Sequence, residues 1–250
     1  MMPIITLLTD FGTADGYVGE MKGVLASQAP GSQLLDVSHE IPPHDVERAR
    51  LTLARLWRRF PEGTVHLVVV DPGVGSKRAA LAVSSAGRFL VGPDNGVLSP
   101  ALLGANARAV ELPVPANASA TFHGRDVFAP AAAALARGES LDSLGVAARE
   151  PTIRRTPEAT RRADGAIAGQ VIVVDRFGNA ITNLMGLRGG TIEVGSRAAA
   201  LRHTYAEVAS GELVAVVGST GFIEIAIRDG DAARTLGISV GTPVMLRTSA

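Results

Sequence analysis

Hydrophobic residues fall along this chain in two rhythms. Over residues 1–150, short unbroken apolar runs alternate with stretches in which apolar positions recur every three or four residues. The runs "IITLL", "QLLDV", "TVHLVVV", "RFLVG" and "ARAVEL" predict strands. The β-branched run of "TVHLVVV" is what a parallel strand buried on both faces needs. Between the runs, Tyr17, Val18, Met21, Val24 and Leu25 share one helical face within Gly16 to Gln28. Val46, Ala49, Leu53, Leu56, Trp57 and Phe60 share another, behind Asp45 as N-cap. A further helix is predicted from Asp126 to near Gly138, with Pro130 in its first turn, where no intrahelical N–H bond is lost. Strands alternating with helices predict an α/β fold: a doubly wound, mainly parallel sheet with helices on both faces.

The rhythm changes after Glu150. Residues 151–165, "PTIRRTPEATRRADG", are polar and proline-broken and are expected to form a linker. From 166 to 250, "GQVIVVD", "GTIEV", "ELVAVVG", "FIEIAI" and "TPVMLR" are short strand-like runs between glycine turns, with a helix only over Asp231 to Leu236. This predicts a smaller, mostly antiparallel, β-barrel-like domain.

Composition narrows the classes. Hydrophobic residues make up 46% and charged residues 19%, which suits a packed globular chain. Lys+Arg and Asp+Glu both number 24, so the basic excess of a nucleic-acid binder is missing. The clusters "LARLWRRF" and "TIRRTPEATRRADG" read as a solvated helix face and an exposed linker. The chain has no cysteine, which excludes disulfides and thiolate chemistry. "MMPIITLLTDFG" carries no basic leader and too short an apolar run for a signal peptide. No apolar stretch approaches the roughly 18 residues of a membrane span. A cytoplasmic protein without membrane or nucleic-acid partners is expected.

Candidate chemistry collects where strands end. "ITLLTD" delivers Asp10 and "LVVVD" delivers Asp71, each followed by a glycine-bearing turn. If both strands are parallel, both carboxylates lie on the carboxyl rim where α/β sheets bind ligands. The turn after Asp71, "PGVGSKR", is no phosphate cradle. It lacks the nucleotide P-loop spacing, and the third glycine of the dinucleotide fingerprint is replaced by Arg78. His123 stands in "TFHGRDVFAP" just before a helix, as a catalytic candidate or an ordinary loop histidine. His39, His44, His66 and His203 offer no comparable setting. No histidine spacing suits a metal, and no Gly-x-Ser-x-Gly elbow occurs. In the second part, "VIVVDRFGNAITN" brings Asp175, an exposed-looking Phe177, Asn179 and Asn183, which suit a planar polar ligand or a plain turn. Ser219 and Gly221 in "VVGSTGFIEIAI" pose the same pair of alternatives.

Taken in order, "TLLTDFGTADGYVGEMKG", "DVSHEIPPHDVERAR", "FPEGTVHLVVVDPGVGSKR", "VGPDNGVL", "FHGRDVFAP", "DRFGNAITN" and "GSTGFIEIA" resemble the S-adenosyl-L-methionine hydroxide adenosyltransferases. These are relatives of the S-adenosylmethionine-dependent fluorinase and chlorinase. The resemblance spans essentially the whole chain. It implies an α/β N-terminal domain, a β-barrel-like C-terminal domain and a homotrimer, with ligand between domains of neighbouring subunits. It implies catalysis by Asp71, Arg78 and His123, and a grip on the ribose hydroxyls by Asp10. Asp15, Asn179 and Ser219 match positions around the methionine moiety. Phe177 and the strand into Ile227 match the nucleoside wall. Asp175 and Gly221 complete the candidate substrate-binding set. The implied reaction is attack of water or hydroxide on C5′ of S-adenosylmethionine, giving adenosine and methionine, with no metal and no cofactor besides the substrate. The halide-using relatives differ: the fluorinase has tyrosine at Asp71, threonine at Val74 and Tyr-Ser at His123-Gly124, and they carry tryptophan at His44. The alternatives are a chlorinase-like halogenase and a non-catalytic adenosine or S-adenosylmethionine sensor.

Overall fold

A computed structural model describes residues 2–186 and 189–248. Two units, Met1–Arg155 and Thr156–Ala250, each gather their own contacts.

In the first unit the apolar runs become β1 (Ile4–Thr9), β2 (Gln33–Ser38), β3 (Val65–Val69), β5 (Arg88–Pro93) and β6 (Arg108–Glu111), joined by β4 (Ala80–Ser85) and β7 (Val146–Ala147). The strands form one sheet in the order β2-β1-β3-β5-β4-β6-β7. Pairings β2–β1, β1–β3 and β3–β5 are parallel. Beyond β5 the sheet turns antiparallel. The cause is local: β4 and β5 are joined only by Ala86 and Gly87, both left-handed at φ 47° and 72°, the geometry of a tight hairpin turn.

The helices are α1 (Tyr17–Gln28), α2 (Val46–Leu56), α3 (Ser99–Leu102) and α4 (Ala129–Ala136). They cover both sheet faces. Leu7, Leu67 and Val69 pack in one cluster with Met21 and Leu25 of α1 and with α4, while Leu8, Val68 and Val70 pack with Ala49 and Leu53 of α2 and with Trp57. A strand covered on both sides has no polar face to offer, hence the unbroken apolar run of β3. Asp45 caps α2, its carboxylate accepting from Arg48 N at 2.8 Å. The predicted Asp126 helix starts earlier, with a π-helical turn over Gly124–Phe128 that runs into α4. Gly124 packs tightly there, a Cβ meeting the Met21 and Phe122 side chains at 3.2 Å, so a larger residue requires those side chains to shift.

The second unit holds β8 (Thr160–Arg161), β9 (Ile167–Val174), β10 (Ala180–Met185), β11 (Thr191–Val194), β12 (Arg197–Arg202), β13 (Leu213–Val217), β14 (Phe222–Ile227), α5 (Ala232–Leu236) and β15 (Pro243–Arg247). The order β10-β14-β13-β12-β11-β15-β9 closes on itself through β9–β10 pairing, making a seven-stranded barrel with β8 appended to β9. All its pairings are antiparallel except β12–β13. Val171, Leu184, Ile192, Ile223, Ile225 and Leu246 fill the interior. No helix among the described residues is long and apolar enough to cross a membrane.

Candidate active site

The parallel register sets Thr9 of β1 against Val69 of β3. Asp10 and Asp71 therefore both emerge at the carboxyl ends of neighbouring strands. Asn95, just past β5, donates its Nδ2 to Val70 O at 2.9 Å and pins the backbone immediately before Asp71.

From Asp71 the chain doubles back. Val74 N bonds Asp71 O, and Ser76 N bonds Gly73 O. Gly75 is left-handed at φ 74°, and a Cβ there would run into Ala120 O. The two turns return Arg78 to Asp71 as a bidentate pair. Arg78 Nε donates to Asp71 Oδ1 at 2.8 Å, and Nη2 donates to Oδ2. The side chains are 10% and 5% exposed respectively. The guanidinium lies 5.2 Å from the Phe128 ring centroid, and Nη1 donates to Ala79 O.

Nη2 also reaches His123 Nδ1 at 3.0 Å. A guanidinium only donates, so His123 Nδ1 accepts and the ring hydrogen sits on Nε2. Burial, and next the Arg78 charge, hold the His123 pKa below the ordinary histidine value. His123 stands at the start of the π-helical turn, a device that recurs at functional sites. The result is a carboxylate acceptor and an imidazole Nε2–H donor, locked to one another through one cation.

Around this trio, Asp10 Oδ2 accepts from His44 N at 2.8 Å. His44 is left-handed at φ 68°, an uncommon state for a non-glycine residue. Asp15 is exposed in the loop before α1. Phe11, Tyr17 and Phe122 form a ring cluster with centroids 5.3–5.9 Å apart. Asp126 accepts from Ser119 N at 2.8 Å and from Arg125, steadying the loop that leads to His123.

In the second unit Asp175 builds a turn. Its Oδ1 accepts from Phe177 N and Asn179 N, and its Oδ2 accepts from Asn179 Nδ2 at 3.0 Å. This holds Phe177 outward, 74% exposed. Ile227 ends β14 beside that turn, since Ala180 pairs with Ile225. Exposed Ser219 and half-buried Gly221 occupy the β13–β14 turn, at the other end of β14. Asn183 is spent inside the fold, donating to Pro157 O and accepting from Gln170 N. Sequence reasoning missed Tyr205, whose hydroxyl donates to Glu224 at 2.6 Å. Burial, then the Glu224 carboxylate, push the Tyr205 pKa up. No motif marks Tyr205; the outward alternation of Glu224 along β14 was the available signal.

Comparison with known proteins agrees across the chain. The family model described as SAM hydroxide adenosyltransferase N-terminal domain matches residues 5–145, and its C-terminal counterpart matches residues 169–245. A Thermus thermophilus protein named (R)-S-adenosyl-L-methionine hydrolase is 44% identical, covering 98% of this chain and 100% of its own. One of the same name from Salinispora tropica is 43% identical over 96% of this chain and 95% of its own. A fluorinase from Actinoplanes sp. is 29% identical over 73% of this chain and 72% of its own. The crystal structure of an uncharacterized conserved protein from Thermotoga maritima superposes with a TM-score of 0.89 at 34% identity, covering 97% of this chain and 99% of that one. With both domain models matched in order along one chain, this protein belongs to the SAM hydroxide adenosyltransferase family.

Proposed function

We propose that the protein hydrolyses S-adenosyl-L-methionine to adenosine and L-methionine. Water oxygen bonds C5′, the C5′–S bond breaks, methionine departs as a neutral thioether, and the water proton passes to the enzyme. A sulfonium is already a good leaving group, so sulfur needs no acid and the reaction no cofactor. The observation that carries this reading is the Asp71–Arg78–His123 linkage. The linkage supports the following division of roles. His123 Nδ1 is occupied by Arg78, so His123 orients the nucleophile by donating from Nε2. Asp71 keeps a free lone pair on each oxygen and takes the proton. Arg78 fixes both partners and stabilises the carboxylate. Positioning in line with the C–S bond supplies much of the rate.

In this reading Asp10 and Asp15 hold the ribose and the methionine end. Phe177 and the Ile227 strand form the nucleoside wall. Asn179, Ser219 and Gly221 contribute polar contacts, and Asp175 acts by setting the turn. We also assign a homotrimer, with a solution mass near three chains of 25.8 kDa by light scattering, and a cytoplasmic location. Chromatography of products formed in oxygen-18 water tests the chemistry. Labelled adenosine with methionine is expected; unlabelled adenosine would rule out solvent attack at C5′.

A further inference from the structure

Behind Asp10 runs a chain of polar side chains that the reaction above does not use. His39 follows β2, whose register sets Ser38 against Leu8 and so brings His39 beside Thr9. Thr9 is fully buried, and His39 is 5% exposed. His39 Nδ1 lies 2.9 Å from Thr9 Oγ1, and its Nε2 lies 3.0 Å from Asp36 Oδ1. Asp36 Oδ2 in turn accepts from Lys22 Nζ of α1 at 2.6 Å. The Nε2–Asp36 contact is close without hydrogen-bond alignment, but a bare nitrogen lone pair 3.0 Å from a carboxylate oxygen would be repelled, so Nε2 carries a hydrogen. In the neutral ring Nδ1 then accepts the Thr9 hydroxyl hydrogen. That leaves Thr9 Oγ1 a lone pair, which takes Phe11 N at 3.3 Å. The His39 carbonyl independently accepts from Gly12 N at 2.8 Å. Residues 9, 11 and 12 are thus each tied to His39 directly or through Thr9, and the one residue they bracket is Asp10.

We propose that His39 is a positioning residue that sets the direction of the Asp10 carboxylate, acting through Thr9 while Asp36 fixes its tautomer. His44 N holds the carboxylate from outside; the His39 chain holds its backbone root from beneath. A histidine serves here because it joins a hydroxyl donor on one nitrogen to a carboxylate acceptor on the other. The inference rests on the reading of Asp10 as a substrate-binding group. Asp10 lies away from the bond that breaks, so its misplacement weakens ground state and transition state alike. Such a loss raises KM and spares kcat.

The test is steady-state kinetics of S-adenosylmethionine hydrolysis for wild type, Thr9→Val, Thr9→Ser and His39→Ala, with thermal melting in parallel. Thr9→Val, an isostere, and His39→Ala are each expected to raise KM about tenfold, the usual worth of one hydrogen bond. Their kcat should change by less than about twofold, and Thr9→Ser, which restores the hydroxyl, should recover KM. A purely structural role predicts the opposite pattern: lower melting and fewer active molecules with KM unchanged. Unchanged KM in both Thr9→Val and His39→Ala, in an active wild-type background, overturns the inference alone. A wild-type chain that consumes no S-adenosylmethionine overturns the functional reading instead. If His39→Ala fails to fold, Thr9→Val against Thr9→Ser decides.

Discussion

Replacing Asp71 by asparagine changes one atom and two interactions. The amide keeps the size of the carboxylate, and its oxygen still accepts from Arg78 Nε. Its NH2 group then faces Arg78 Nη2, donor against donor, where Oδ2 accepts in the native pair. Both side chains are nearly enclosed, at 10% and 5% exposure, so Arg78 keeps its charge and loses its counterion. Breaking a buried pair costs about 3–5 kcal/mol. With one bond surviving, about 3 kcal/mol applies, a fall of about 6–12 °C in melting temperature for a unit of this size. The catalytic loss is separate. Without a proton acceptor, kcat should fall about 10²–10⁴-fold. His123→Gln is the control, since a glutamine can accept from Arg78 with its oxygen and donate to water with its NH2. It should retain activity within about tenfold, because both hydrogen bonds can be kept and the proton acceptor Asp71 is untouched. The assay is adenosine formed per mole of folded enzyme at saturating substrate, well below each variant's melting point. A His123→Gln enzyme losing hundreds-fold while Asp71→Asn stays within tenfold would reverse the assigned roles and refute the tautomer argument.

Three further outcomes are expected. His66 is fully buried between the Thr6 hydroxyl and the Trp57 carbonyl, and burial, its largest cause, lowers its pKa from 6.5 to about 4; the unfolded chain protonates first, so stability is whole above pH 6.5 and drains as pH falls toward 4, by up to about 1.4 kcal/mol per pH unit. Urea unfolding from pH 7.5 to 4 should show that slope, and it should flatten in His66→Gln. Gly178→Ala should destabilise the barrel unit by about 1–3 kcal/mol, since φ there is 80° and the new methyl meets Asp231, the cap of α5; calorimetry reads the loss. Saturating chloride should yield no 5′-chloroadenosine by chromatography, and its appearance would sink the hydrolytic reading.

Local signals carried the sequence reading furthest. The Asp45 cap, the α1 face and the buried β3 run each depend on residues within one or two turns of one another. The shared rim of Asp10 and Asp71 followed from one step more, that consecutive α/β strands pair in parallel. What stayed hidden depends on distant pairing or on a single backbone angle. Nothing in "SSAGRF" advertises a hairpin as Asn-Gly would, because Ala86 takes the left-handed turn position at φ 47°. The π-helical turn begins at Gly124, which packs against Met21 and Phe122, more than 100 and two residues away. His39 read as ordinary because Thr9 meets it only through the β1–β2 register, although Asp36 lies just three residues before it.

The arrangement of donors and acceptors bears on the choice of nucleophile. Arg78 has five N–H groups, and hydrogen bonds to Asp71, His123 and Ala79 O engage four of them. Its charge therefore acts through Asp71 and His123 more than by touching the nucleophile. What those two present is one acceptor and one donor. Water matches both, giving a hydrogen to Asp71 and receiving one from His123. A halide matches only the donor, has no proton to surrender, and meets a negative carboxylate. At about 4 Å and an effective dielectric near 20, a lone carboxylate would repel it by about 4 kcal/mol; the paired Arg78 cation offsets part of this, so the missing proton weighs as much as the charge. A tyrosine in place of Asp71 removes both the repulsion and the proton acceptor together. On this reading a single side chain at the end of β3 separates the two chemistries, and the bidentate grip of Arg78 holds that side chain where the nucleophile must give up its proton.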